Sequence, residues 1–333
     1  MDITNAFADL HKVADADPKQ VAEGRRRRDL FRGAFCPQEE IDDVVPSGSL
    51  ARSTQRDPIN DVDVILLYEA EPYPDWGAED DSAEDALKHT ATRVNELLGA
   101  TDGSFAQEVR LARPGNHAVK CFFDDPDDPA AFTVDAMPAL RQSDGTLLVP
   151  EKESGKWIRT DPEHLIELVR KRHEEWDLFR PMVRVLKLWK DVQDTSLKSL
   201  TVEVLALHNL PSNETPAQAL YRFFNAAEKV IGVPVEDPAG LCGPTQGEID
   251  WAKAGAAIRH AARASWEAVT AQADGDTDRA ACLWRSIFGD AFPEPPGGCE
   301  QTDGGNGAGA LGVGLGIGVG THNPRPVKDA PQG

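Results

Sequence analysis

The chain has 333 residues, with 35 Lys and Arg against 56 Asp and Glu, which gives a formal net charge of −21. A charge of this sign opposes diffuse binding to nucleic acids or to an anionic membrane surface, so any anionic ligand must meet a local cluster of cations. The hydrophobic content of 40% can build a sizeable core, which excludes wholesale disorder. The length favours two domains.

The cysteine pattern and the hydropathy bear on the compartment. Five cysteines are widely spread without a C-x-x-C pair, and we expect all of them to be free thiols: Cys36, Cys121, Cys242, Cys282 and Cys299. The first thirty residues contain no apolar run of signal-peptide length, and no stretch reaches the ~18 apolar residues that a membrane span needs. The sequence therefore predicts a cytoplasmic protein without membrane contact.

The first half of the chain mixes helical and β-prone segments. Residues 17–35 favour one long helix that ends before Pro37. We interpret the four arginines at 25–28 as a solvated helix face rather than a nucleic-acid contact. A further helix is predicted over 83–99. The β-prone runs lie at 44–46, 61–68, 109–112, 118–123 and 132–137.

The second half has helical spacing only. Helices are predicted at about 163–175, 178–192, 199–210, 216–231, 247–272 and 277–288. We therefore expect an α+β chain with a mixed-sheet domain at 1–160 and an all-helical domain at 161–293. The active site is expected in the cleft between them, with a hinge at 152–155. Residues 294–333 are rich in Gly and Pro and are predicted to form a flexible tail.

The first chemical signal is a D-x-D pair on a predicted strand. Asp61 and Asp63 point to the same face of the strand because side chains alternate, and two carboxylates held together invite a divalent cation. Oxygen ligands favour Mg²⁺ or Mn²⁺ over zinc. Gly48 and Ser49 precede this pair in a Gly-Ser turn, where backbone N–H groups and a hydroxyl can receive a phosphate.

A third carboxylate, Asp135, lies in a later apolar strand. A lone charge there is costly unless it pairs with a metal or another cation. Two metal ions ~3.5–4 Å apart can grip the attacking and leaving oxygens of a phosphoryl transfer, and this arrangement needs such a third ligand. Each aspartate alone is more often a turn or cap residue, whereas the combination predicts a site for two Mg²⁺ ions at Asp61, Asp63 and Asp135.

These segments resemble the CD-NTases, bacterial relatives of cyclic GMP-AMP synthase that make cyclic oligonucleotide signals in CBASS antiphage defence. The similarity extends over about residues 20–293. It is carried by VPSGSLARST at 45–54, NDVDV at 60–64, VDAMPA at 134–139, VLKLW at 185–189, LKS at 197–199 with Glu203, and WRSIFG at 284–289. The resemblance implies a polymerase-β-like nucleotidyltransferase sheet followed by a helical domain.

The resemblance also implies roles for individual residues. Ser49 would hold the donor triphosphate, Asp61 and Asp63 would bind both metals, and Asp135 would help to activate the attacking hydroxyl. Lys187 and Ser199 would reach the phosphates across the cleft.

Three positions in the second half leave alternatives open. Lys187 is an ordinary exposed helix lysine in the alternative interpretation. Asp237 resembles a family position near the nucleotide, but an Asp-Pro that ends a helix also explains it. Leu200 stands where related enzymes often carry an aromatic residue that stacks on a base, so the bases that are joined stay open.

The resulting hypothesis is a Mg²⁺-dependent nucleotidyltransferase that makes a cyclic di- or trinucleotide from nucleoside triphosphates, ATP among them, without an obligatory nucleic acid. The first alternative is a linear transferase that acts on RNA or protein, which the acidic composition disfavours. The second is a signalling protein conjugated through its tail, since the chain ends at Gly333 and a ubiquitin-activating-like regulator acts on such tails in some family members. An unconstrained terminus explains the same residues.

Overall fold

The computed structural model describes residues 1–78, 82–99 and 108–299. Within these ranges seven strands form one mixed sheet in the order β1-β2-β5-β4-β3, and β6 pairs with β5 and with β7. The strands are β1 Ile41–Pro46, β2 Asp61–Tyr68, β3 Leu111–Pro114, β4 Val119–Phe122, β5 Thr133–Arg141, β6 Leu147–Glu151 and β7 Lys156–Thr160. The β2–β5 pair is parallel, and the other described pairs are antiparallel.

The two central strands show why the sheet forms here. In β2 the buried Val62 and Val64 alternate with the half-buried Asp61 and Asp63, and residues 65–68 are buried throughout. In β5 residues 133–140 are all buried. Parallel strands are normally covered on both faces, and these two strands contribute side chains to core clusters on both. The predicted strands at 61–68 and 132–137 are confirmed, and the second extends to residue 141.

The last two strands were not predicted. The turn at 152–155, expected as a hinge, joins β6 to β7 as a hairpin, and Gly155 takes a φ of +69° within it. The hinge prediction is therefore wrong, because cross-strand pairing carries the sheet on to Thr160. The domain boundary near residue 160 stays a prediction.

Ten α-helices complete the described ranges, and many begin at a sequence signal. They are α1 Ile3–Ala14, α2 Pro18–Phe35, α3 Gly48–Arg52, α4 Ser82–Leu98, α5 Pro162–Glu175, α6 Phe179–Val192, α7 Ser199–Asn209, α8 Pro216–Lys229, α9 Trp251–Ala273 and α10 Thr277–Phe288. Asp17, Asp161 and Thr215 each cap a helix whose first residue is proline. A side-chain oxygen at the cap and a proline at the first position both suit a helix start, since the first N–H groups lack intrahelical partners.

The N-terminal helix α1 packs on the helical half of the chain rather than on the sheet. The ring of Phe7 lies 5.1 Å from that of Trp284 and 5.2 Å from that of Phe292. The amino group of Met1 lies 2.8 Å from a carboxylate oxygen of Asp278. The chain thus begins in the helical core and reaches the sheet through α2, an arrangement that the sequence analysis did not foresee.

Two cysteines are bonded to each other. A disulfide joins Cys282 on α10 to Cys299, whereas Cys36, Cys121 and Cys242 remain thiols. The expectation of five free thiols is therefore wrong for this pair, because the chain after α10 folds back until the two Cα atoms are 5.5 Å apart. Most of the predicted tail at 294–333, including Gly333, lies outside the described residues, so its flexibility and its conjugation stay predictions.

Candidate active site

The three predicted aspartates share one face of the sheet. Asp63 on β2 is paired directly with Asp135 on β5, and Asp61 is paired with Thr133 in the same parallel register. Directly paired residues, and residues two apart on one strand, point to the same side. The structure therefore places Asp61, Asp63 and Asp135 beside one another, and their chemical roles remain to be tested.

A lysine that the sequence analysis did not single out lies next to these carboxylates. Lys120 on β4 is paired with Asp135, and its Nζ lies 3.9 Å from Oδ1 of that aspartate. Asp135 is only 5% exposed. Burial raises the pKa of Asp61, and the positive charge of Lys120 opposes this rise. The positive charge of Lys120 thus acts on both Asp135 and Asp61.

Gly48 lies directly above the carboxylate of Asp63. Its φ is +69°, a conformation that favours glycine, and a Cβ built at this position would fall 1.6 Å from Oδ2 of Asp63. The preceding residue, Ser47, donates its backbone N–H to the carbonyl oxygen of Asp63 at 3.1 Å. Ser49 follows as the second residue of α3 and is half-buried. The residues predicted as a Gly-Ser turn therefore begin helix α3 and adjoin Asp63, and their role as a phosphate seat stays a prediction.

A buried ionic network connects α3 to the helical half. Glu203 on α7 has no exposed surface, and its two oxygens accept hydrogen bonds from Arg52 Nε at 2.8 Å and from Lys187 Nζ at 2.7 Å. Thr54 adds its hydroxyl at 2.9 Å from Glu203, and its carbonyl accepts from Lys187 at 3.0 Å. Burial alone would raise the pKa of Glu203, but Arg52 and Lys187 outweigh it and hold the value at about 2.

The network shows what Lys187 does in this structure. Lys187 is only 4% exposed and contacts Glu203 and Thr54, so the interpretation as an exposed helix lysine is wrong. Burial lowers the pKa of Lys187, and the adjacent Glu203 carboxylate opposes this effect. Whether its ammonium also reaches a phosphate stays a prediction. Arg52 escaped the sequence analysis because an ion pair across 151 positions leaves no local pattern.

Two further predicted nucleotide contacts lie on the helical half. Ser199 is the exposed first residue of α7, the helix that carries Glu203, and Leu200 packs against the helical core.

Asp237 is 6% exposed and accepts hydrogen bonds from the backbone N–H groups of Leu241 at 3.0 Å and Cys242 at 3.4 Å. It closes a loop well after α8 has ended at Lys229, so the helix-end explanation is wrong. Nucleotide contacts of Ser199 and Asp237 stay predictions.

The chemistry of the aspartates fits a hard divalent cation, since all three donors are carboxylate oxygens. Over the described ranges, however, no three His, Cys, Asp or Glu side chains are already gathered closely enough to hold one ion. The strand register supplies a shared face for the three carboxylates. Asp61, Asp63 and Asp135 are the residues that would hold such an ion.

Comparison with known proteins identifies the fold. No family model matches the sequence. No curated protein matches it either. Among solved structures, CdnC of E. coli MS115-1, in its CdnC:HORMA-deltaN complex, has a TM-score of 0.63 at 17% identity over 87% of this chain and 98% of its own. This is the CD-NTase fold.

Other structures of this class agree. The CD-NTase CdnG of Bradyrhizobium diazoefficiens, solved with GTP, has a TM-score of 0.62 at 13% identity over 86% of this chain and 95% of its own. DncV of Vibrio cholerae in its GTP-bound form has a TM-score of 0.52 at 12% identity, over 87% of this chain and 86% of its own. CdnC has also been solved with ATP. The predicted α+β fold of the polymerase-β-like class is therefore confirmed.

Within the part of the chain that the structure describes, no helix is both long and apolar enough to cross a bilayer.

Proposed function

We propose that this protein is a Mg²⁺-dependent nucleotidyltransferase that joins nucleoside triphosphates into a cyclic di- or trinucleotide signal. The observation that carries the proposal is the register of Asp63 against Asp135, on one sheet face and directly below Gly48, in a chain with the CD-NTase fold. We propose ATP among the substrates, action in the cytoplasm, and a role in antiphage signalling of the CBASS type.

The proposed substrate position follows from the two sides of the site. Because Gly48 has no side chain, the carboxylate of Asp63 lies directly against its backbone, and a phosphate held by a metal on Asp63 would lie beside the Gly-Ser turn. Ser49 would donate its hydroxyl to the donor triphosphate. Ser199 faces solvent at the start of α7, and from there it would contact the same triphosphate across the cleft.

The carboxylates would hold the metal that the reaction needs. Asp61, Asp63 and Asp135 are the residues that would hold two Mg²⁺ ions. Bound there, the metal supplies charge neutralisation for the transferring phosphoryl group. Because Asp135 is almost fully buried and paired with Lys120, its carboxylate is held against the sheet rather than free in solvent.

The bond changes are those of nucleotidyl transfer. The 2′- or 3′-hydroxyl oxygen of one nucleotide forms a bond to the α-phosphorus of another, the bond from that phosphorus to the β-phosphate bridge breaks, and pyrophosphate leaves. The proton of the hydroxyl is lost, and Asp135 would assist its removal. A last transfer of the same kind closes the ring.

The buried network would keep the two sides of the site in register. Arg52 ends α3, the short helix that begins with Gly48, and its ion pair to Glu203 joins that helix to α7. Lys187 adds a second ion pair to the same carboxylate from α6. The Gly-Ser turn and Ser199 therefore lie at opposite ends of one buried connection, which limits their relative movement.

The test is product formation by the full-length protein with labelled nucleoside triphosphates and Mg²⁺. We expect a product that resists alkaline phosphatase, and we expect Asp63→Asn to abolish it without a loss of folding, since this carboxylate serves the metal rather than the core. Asp42→Asn is the matched control, because it removes an exposed carboxylate from the neighbouring strand β1. Phosphatase-sensitive products, salt-sensitive RNA extension, or no product with any nucleotide mixture would each refute cyclic synthesis.

A further inference from the structure

A row of four directly paired residues crosses the centre of the sheet. It runs from Asp63 on β2 to Asp135 on β5, then to Lys120 on β4 and Arg113 on β3. Directly paired residues on neighbouring strands point to the same face. Two carboxylates therefore adjoin two cations in a line, and the inner cation, Lys120, lies within ion-pair distance of Asp135.

Lys120 is the inner cation of this row, and it forms an ion pair with Asp135. Its Nζ lies 3.9 Å from Oδ1 of Asp135, and its side chain is 33% exposed. Within the described ranges, Asp135 is the one anion with which it forms an ion pair. Its charge acts on Asp61 as well, so one ammonium group influences two of the three aspartates.

This placement has two opposite consequences for a divalent cation. Three carboxylates on one face repel one another, and the positive charge of Lys120 beside them reduces that repulsion. The attraction to Lys120 also orients the carboxylate of Asp135 towards the ammonium group. The same positive charge repels an incoming metal ion and lowers its affinity. Lys120 thus favours the geometry of the site at the expense of metal binding.

We infer that Lys120 is a positioning residue of the proposed active site, which orients the Asp135 carboxylate and weakens the binding of divalent cations to the three aspartates. The inference rests on the proposed function.

Arg113 provides the matched control. It belongs to the same row, one strand further from the aspartates, and its side chain is exposed. Its guanidinium lies 5.5 Å from the ring centre of Phe122, and over the described ranges it forms no ion pair. Arg113→Met therefore removes the same unit of charge as Lys120→Met from the same sheet face without removing a contact to Asp135.

The experiment measures metal binding and turnover separately. Full-length wild type, Lys120→Met, Lys120→Arg and Arg113→Met are titrated with Mn²⁺ without nucleotide, and free Mn²⁺ is followed by electron paramagnetic resonance. Asp63→Asn defines the binding that belongs to the site. Turnover is then measured at saturating Mg²⁺, and thermal unfolding verifies that each variant is folded.

We expect Lys120→Met to bind Mn²⁺ more tightly, by about tenfold at most, because a like charge a few ångströms away has been removed. Its turnover at saturating Mg²⁺ should fall by about tenfold to a hundredfold, because Asp135 has lost its orienting partner. Lys120→Arg should recover the wild-type metal affinity, since it restores the charge. Arg113→Met should remain within about twofold of wild type in both measurements, because screening by solvent weakens its longer-range effect.

Two results would overturn the inference. If Lys120→Met binds Mn²⁺ no more tightly than Arg113→Met while wild type binds Mn²⁺ and makes product, the role of Lys120 is refuted and the proposed function stands. If wild type neither shows Mn²⁺ binding that Asp63→Asn removes nor makes product, the proposed function fails and the role of Lys120 fails with it.

Discussion

Replacement of Gly48 by alanine tests the placement of the Gly-Ser turn above Asp63. The new Cβ would stand 1.6 Å from Oδ2 of Asp63, and Cβ atoms essentially never approach another heavy atom more closely than 3.0 Å. The carboxylate must therefore move by about 1.4 Å, or the turn must lift away from it. The φ of +69° adds backbone strain, which for alanine costs roughly 1–2 kcal/mol.

The two effects can be separated with a second glycine. Gly145, in the turn between β5 and β6, has a φ of +89°, and a Cβ there would meet no atom within 4 Å. Gly145→Ala should therefore show the backbone strain alone. Gly145→Ala should lose about 1–2 kcal/mol of unfolding free energy in urea titrations, and Gly48→Ala should lose more, because the clash with Asp63 adds to the backbone strain. Only Gly48→Ala should lose nucleotidyl transfer, by about a hundredfold or more, since a misplacement near 1 Å costs about that much.

The decisive measurement is the ratio of product formation by these two variants at equal folded concentration. If Gly48→Ala synthesises product at the rate of Gly145→Ala, the carboxylate of Asp63 does not need its observed position. The proposed site would then be refuted. If both variants are inactive, the comparison is repeated with Mn²⁺ binding, which Gly145→Ala should retain and Gly48→Ala should lose.

Two further predictions concern the buried network around Glu203. Glu203→Gln should destabilise the protein by about 3–5 kcal/mol, because Arg52 and Lys187 would be left as buried charges without a full counter-charge. Asp191→Asn removes a half-exposed partner of Arg56 and should cost under about 1 kcal/mol in the same urea titration. A similar cost for both variants would contradict the structural role of Glu203. Acid should also lower the free energy of unfolding of the wild type. Since the folded-state pKa of Glu203, about 2, lies below its ordinary value of 4.5, its contribution is full above pH 4.5 and is lost as pH falls towards 2. The loss is about 3 kcal/mol, and an equal acid response in Glu203→Gln would refute it.

Much of the site could be predicted from the sequence because its signals are local. The alternation of β2 places Asp61 and Asp63 on one face before any tertiary contact is known. Asp135 lies in the otherwise apolar run of β5, and because burial of a charge is costly, a functional role could be predicted for it. The Gly-Ser dipeptide carries its own conformational signal, and helix starts at Asp17 and Asp161 follow from capping residues followed by proline.

The features that escaped prediction depend on contacts between distant parts of the chain. The sequence analysis left Lys120 aside because its meaning appears only when β4 lies against β5. Helix α1 was not foreseen, and neither was its packing against Trp284. The disulfide between Cys282 and Cys299 is unusual for the predicted compartment, and only the return of the chain after α10 brings the two sulfur atoms together.

For this protein the sequence by itself determined the acidic charge, most of the helices and central strands, and the residue types that can carry phosphoryl transfer. These follow from local spacing, since side-chain direction in a helix or strand depends on a few neighbouring residues. Tertiary structure alone decided which strands pair, that Asp135 stands beside Asp63, and that Glu203 joins Arg52 and Lys187. Strand register and buried ion pairs are set by the packing of the whole core, and this information is spread over residues far apart in the chain.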